Sequence, residues 1–190
     1  FSIGWWAEAN GEAVIMENGE EFCPPRGTLI QIDEWYGTEE IGSNKGIKMS
    51  PQDLAYGIIR MESDLQKGGW INSTVHDGPC DNQIANVTRT DIETIEKTMA
   101  DCGVRWTKSD KSSGTRAGGL QLFRDRLENA LIGEGKAIYF MRNCVASIET
   151  LPSLPRDEVK RDEIDTDSED HVSDMVRYRL LAGQNRIATG

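Results

Sequence analysis

Over residues 1–37 apolar positions alternate with polar ones or gather in short β-rich stretches bounded by turn residues. Phe1-Ser2-Ile3-Gly4-Trp5-Trp6-Ala7 opens the chain in the middle of a strand, with no starting Met and no polar lead-in, so further sequence is expected upstream. Asn10-Gly11 then leads to Ala13-Val14-Ile15-Met16, a hairpin signal, because a tight two-residue turn needs positive φ and Asn and Gly tolerate it. After Pro24-Pro25-Arg26-Gly27 comes Thr28 to Gly37, rich in β-branched and aromatic residues. Three antiparallel strands in a row are expected from this opening.

The period then changes. Leu54, Ile58, Ile59, Met61 and Leu65 recur at helical spacing, with Ser50 as N-cap and Pro51 at the first helical position. Trp70 to Asp77 reads as a short strand ending in a loop, Gly78-Pro79-Cys80-Asp81. Ile92 to Cys102 reads as an amphipathic helix ended by Gly103, and Val104 to Thr107 as a short strand. Lys108 to Gly119 is a Gly/Ser/Lys-rich loop, Leu120 to Leu131 a helix and Ala137 to Phe140 a strand. A last helix spans about Ser168 to Leu181, with Ser168 as N-cap and Glu169 and Asp170 favouring its positive end. Strands first, then strands alternating with helices, predict an α/β domain whose mixed sheet carries helices on its faces. Leu151 to Asp167 holds Pro and acidic residues without apolar periodicity, and long connections of that kind are usually functional.

Composition narrows the class. The 190 residues fit a single domain able to bury a real core, and a mean hydropathy of −0.52 excludes an apolar membrane protein. No stretch approaches the ~20 apolar residues of a membrane span, and no secretory leader opens the chain. Cys23, Cys80, Cys102 and Cys144 form no CxxC or CxxH pair, so buried free thiols are expected rather than a structural zinc site, in an intracellular protein. The net charge of −11 argues against a simple nucleic-acid binder. Yet Asp157 to Asp170 alone carries eight acids and two bases, while Arg105 to Arg126 carries six bases and two acids. Such segments suit metal binding and phosphate contact respectively, and equally suit a solvated surface.

His171 and Asp174 lie three apart on the last predicted helix and so share a face. Asp77 ends a predicted strand, and in α/β sheets ligands gather at strand carboxyl ends. Oxygen ligands without thiolates suit Mg²⁺ or Mn²⁺, two of which can activate water in phosphodiester hydrolysis. Taken singly, Asp77 also suits a turn, Asp174 a partner for Arg177, and His171 a polar first-turn position.

The closing run Leu151-Pro152-Ser153-Leu154-Pro155-Arg156-Asp157-Glu158, followed by Asp162 to Tyr178, resembles the end of phage terminase large subunits. Their nuclease domains commonly finish with a Glu-Asp-His-x-x-Asp-x-x-Arg-Tyr helix. Phe1 to Ala7 is similar to the strand after that family's first catalytic Asp, and Ile32 to Gly37 to its third strand. Leu120 to Leu127 resembles the helix after its basic loop, so the resemblance covers essentially the whole chain.

It implies a ribonuclease H-like mixed sheet flanked by helices, in a metal-dependent endodeoxyribonuclease that cuts double-stranded DNA during viral packaging. Asp77 and Asp174 match the second and third metal-binding acids, with Asp77, Asp174 and His171 as catalytic residues, His171 auxiliary. Glu169 and Asp170 also fit the motif. Lys108, Lys111 and Arg116 match the basic DNA-facing loop. The cofactor implied is Mg²⁺ or Mn²⁺, two ions, and the partners are double-stranded DNA and, in the full-length protein, the portal and small terminase subunit.

The setting implied is the host cytoplasm, with no membrane, and the domain alone can be monomeric although the family forms rings on a portal. The first catalytic Asp and the ATPase motor are expected upstream, since no GxxxxGK[ST] occurs. Residues 1–190 are then one nuclease domain lacking its first strand, and are expected to bind metal weakly. Two other readings stay open: a resolvase or transposase-type nuclease of the same fold, and a non-catalytic docking module of a packaging machine.

Overall fold

A computed structural model describes residues 1–41, 43, 45–72, 74–85, 94–154 and 170–184. Along the chain run β1 (Ser2–Glu8), β2 (Val14–Ile15), β3 (Glu21–Phe22), β4 (Leu29–Tyr36), α1 (Pro51–Lys67) and β5 (Gly78–Cys80). A 3₁₀ turn (Asn82–Ala85), α2 (Ile95–Asp101), β6 (Trp106–Lys108), α3 (Thr115–Ile132), β7 (Ile138–Phe140), α4 (Val145–Thr150), a second 3₁₀ turn (Leu151–Ser153) and α5 (His171–Gln184) follow. The architecture is mixed α/β, as the alternation of periods predicts. The chain divides into two compact units, residues 1–46 with 111–180 and residues 47–110 with 181–190. Among the described residues no helix is long and apolar enough to cross a membrane.

In the first unit β4 lies between β1, antiparallel to it, and β7, parallel to it. The pairing Leu29↔Ile138 sets two buried apolar residues side by side, and Val176 and Leu180 of α5 close over them. Trp6, Phe123 and Phe140 pack around that cluster, with edge-to-face ring contacts at 6.0 and 6.3 Å. Helix α5 approaches β1 closely enough that a methyl group at Gly4 would collide with the Met175 sulfur, which explains a glycine inside a strand. Arg126 of α3 is buried and donates to the carbonyls of Gly27 (2.9 Å) and Ala137 (3.2 Å), tying the helix to the strand entrances. Burial, and next the charge of Arg179, pull its pKa down.

The second unit packs α1 with α2 around Ala55, Ile58, Leu65 and Met99. Ser50 caps α1 as expected, its hydroxyl accepting from the Asp53 amide at 3.1 Å, with Pro51 first in the helix. Thr94 caps α2 in the same way at 3.1 Å.

Several boundaries differ from the sequence-based expectation. Val14–Ile15 pairs with Glu21–Phe22 in a separate two-stranded ribbon, so β1 finds its antiparallel partner in β4. At Asn10-Gly11, Asn10 Oδ1 accepts from the Glu12 amide (2.9 Å) and turns the chain without making a hairpin of its flanks. The expected strand ending at Asp77 is displaced: β5 begins only at Gly78 and pairs in parallel with β6, Gly78↔Trp106. Pro79 is tolerated there because a two-stranded sheet leaves one edge of each strand without a ladder partner. Helix α3 starts five residues earlier than predicted, at Thr115, after Gly114 in the left-handed region (φ 85°). Helix α4 carries no sequence signal long enough to announce it. Ser168, Glu169, residues 155–167 and residues 92–93 lie outside the described residues.

The four cysteines are free, but only Cys144 is buried, and Cys23 is exposed beside the carbonyl of Gly11. Burial, then the charges of Glu34 and Asp33, push the Cys144 thiol up to about 12 from its ordinary 9.0. Folding therefore favours the protonated thiol. The stability this contributes is complete below pH 9.0 and is lost as the pH rises through 12. Iodoacetamide at about pH 8.5 is expected to label Cys23 and spare Cys144 in the native protein, and to label Cys144 in urea, as read by peptide mass spectrometry.

Candidate metal and phosphate site

The amino end of α5 carries the candidate chemistry. Asp170 precedes the helix and its carbonyl accepts from the Asp174 amide at 2.9 Å, so the two residues stand one turn apart on one face. Across from them lies the first turn of α3. The groove between the helices is lined by Arg116, Leu120 and Phe123 on one side and Asp170, Asp174 and Arg177 on the other. Gly119 is buried at its wall.

Both carboxylates are held by arginine. Arg116 Nη2 lies 3.0 Å from Asp170 Oδ2, and Arg177 Nη2 lies 2.6 Å from Asp174 Oδ1. The Tyr178 hydroxyl donates to Asp174 Oδ2 at 2.9 Å. The Arg177 guanidinium stacks over the Tyr178 ring at 4.6 Å, and the Lys111 ammonium sits 5.8 Å from the same ring centre. Burial, and next the negative charge of Asp174, raise the Asp170 carboxyl above its ordinary value, with Arg116 and then His171 pulling the other way. A carboxylate desolvated beside a second one demands cations nearby, and the two arginines supply them.

Of the residues predicted from sequence, the first unit brings together Asp174, Arg116 and Lys111, with Asp170 joining them. His171 opens α5 with an exposed side chain. Asp77 belongs to the second unit, exposed in the segment before β5. The residue at the carboxyl end of β5 is Asp81, whose Oδ1 accepts from the Gln83 amide at 2.7 Å. Reading Gly78-Pro79-Cys80 as a loop hid Asp81, since Gly-Pro normally signals a turn. Lys108 also belongs to the second unit, as the last residue of β6. The basic loop therefore keeps only Lys111: Lys108 is in a strand and Arg116 in a helix, because the helix absorbs Gly118 and Gly119.

Among the described residues no group of three or more His, Cys, Asp and Glu stands together to hold a metal ion. Asp170 and Asp174 nevertheless fit part of such a site by chemistry. They offer oxygen donors alone, and a Mg²⁺-like ion takes one or two carboxylates and keeps several waters. A second acidic pair, Asp33 and Glu34 on β4, is committed to the protein itself. Asp33 accepts from Asn143 Nδ2 at 3.0 Å, and Glu34 receives the Ala146 and Ser147 amides and the Ser147 hydroxyl at 2.5–3.1 Å.

No protein-family model, no curated protein and no solved structure matches this chain.

Proposed function

We infer that this chain is the metal-dependent endonuclease domain of a phage or prophage DNA-packaging terminase large subunit, built on a ribonuclease H-like sheet. The observation that carries the reading is the terminase-like closing run, with Asp170, His171, Asp174, Arg177 and Tyr178 in the family's order. The groove supports it, because Arg116, Asp170, Asp174 and Arg177 line it, while Tyr178 bonds to Asp174 and carries Lys111 near its ring. In this reading Mg²⁺ or Mn²⁺ supplies Lewis acidity and an activated water when bound. Asp174 is a carboxylate ligand on α5, and Asp77 is the other acid that the resemblance assigns. Lys111 and Arg116 hold the phosphate backbone, and His171 orients groups beside the ions. The partners are double-stranded DNA, a portal and a small terminase subunit, in the host cytoplasm.

The test is nicking of supercoiled plasmid by the full-length protein in Mn²⁺, with EDTA as control. Nicking that EDTA abolishes supports the reading, and a folded protein with equal plasmid profiles in Mn²⁺ and EDTA overturns it. Lys111→Ala is expected to weaken duplex binding several-fold at every sequence and to lower the salt slope of log Kd by about one. Fluorescence anisotropy across a salt series reads both quantities.

A further inference from the structure

We propose that Arg116 is an electrostatic latch: it occupies the Asp170 carboxylate in place of a divalent cation, and a backbone phosphate releases it. The proposal rests on the nuclease reading above and adds an order to it, in which phosphate and metal promote each other's binding.

The charges of the groove carry this inference. Asp170 and Asp174 bring two negative charges, and Arg116 and Arg177 bring two positive ones at 3.0 and 2.6 Å. Lys111 stands beside Tyr178 on the same face. Among the described residues the two arginines match the two carboxylates one for one, so a dication arriving alone finds both carboxylates engaged. The two arginines are not equivalent. Arg177 is three residues from Asp174 on the same helix, with its side chain only 11% exposed and its plane stacked on Tyr178. Arg116 reaches Asp170 from a different helix, and its side chain is 34% exposed.

Arg116 is thus the pair member that solvent and a phosphodiester can reach, and a guanidinium binds phosphate oxygens in the same bidentate manner as a carboxylate. Moving it onto a phosphate frees Asp170 and adds a negative charge to the groove. Both changes favour a divalent cation. By linkage the cation must favour the phosphate by the same factor.

The test compares the full-length wild type with Arg116→Gln, Arg116→Lys and Asp174→Asn. Mn²⁺ affinity is read by electron paramagnetic resonance without DNA, and far-UV circular dichroism checks the fold. Removing the competing guanidinium is expected to tighten Mn²⁺ binding by about fivefold or more in Arg116→Gln. Arg116→Lys, which keeps the charge, should stay near wild type. In a second measurement, Ca²⁺ is expected to tighten binding of a labelled duplex to the wild type by a similar factor, and this enhancement should disappear in Arg116→Gln. Equal or weaker Mn²⁺ binding by Arg116→Gln overturns the latch while leaving the nuclease reading intact. Equal Mn²⁺ affinity in Asp174→Asn and wild type removes the metal site itself, and the latch with it.

Discussion

On the proposed nuclease reading, Asp174→Asn is expected to abolish Mn²⁺-dependent plasmid nicking, by about a thousandfold or more, while the protein stays folded. Losing a charged ligand removes the cation that stabilises developing charge on phosphate, and single electrostatic groups of this kind are worth about 10²–10³-fold or more. The fold should survive because asparagine keeps an oxygen that can accept from Tyr178. The Arg177 pair loses its charge complement, but Arg177 retains its stacking on Tyr178. A cost of roughly 1–2 kcal/mol is the scale for one weakened charge-assisted hydrogen bond. Nicking assays beside a thermal melt separate the two effects, and a folded Asp174→Asn protein with wild-type nicking would remove Asp174 from the site.

Glu34→Ala is expected to be the most destabilising single change among the described acids of the first unit, by about 2–4 kcal/mol. The Glu34 carboxylate accepts the Ala146 and Ser147 amides and the Ser147 hydroxyl, whereas α4 has no cap from its own preceding residue, Cys144. Ala146 and Ser147 are buried, so truncation strands two amides and a hydroxyl away from water. Gln31 Nε2, 3.4 Å from the same carboxylate, would lose that contact too. Glu34→Gln keeps one acceptor oxygen and should cost about half as much. Urea unfolding of both variants checks the order, and an unchanged midpoint in Glu34→Ala would show that α4 does not depend on this carboxylate.

The comparison of Glu34 with Asp174 marks the limit of reading acids from a sequence. Both sit in amphipathic β or α segments with aromatic neighbours, and nothing in their local spacing separates a helix-capping carboxylate from one at a groove. Glu34 is separated from Ser147 by more than a hundred residues of chain, so its role exists only once β4 and α4 are packed. The Asp174–Arg177 pair was legible because its members lie three residues apart on one helix. The Arg116–Asp170 pair was not legible, since 54 residues separate its members.

The strand expected to end at Asp77 was displaced for a related reason. The residue type of Asp77 and the following Gly-Pro favour a turn, but the parallel partnership with Trp106 to Lys108 recruits Gly78, Pro79 and Cys80 into a strand.

What local forces control was readable along the chain: the strands at Ser2–Glu8 and Leu29–Tyr36, the Ser50-Pro51 helix start, and a last helix carrying Asp174. These follow from side-chain alternation, capping hydrogen bonds and helical geometry, all of which act over a few residues. Tertiary structure alone decided which strands pair, since β1 chose β4 over the nearer Val14–Ile15, whose two-residue ribbon offers too short a ladder and no buried face. It also decided which cations neutralise which acids. Desolvation of the Asp170 carboxylate beside Asp174 creates that demand only after α3 and α5 close upon each other.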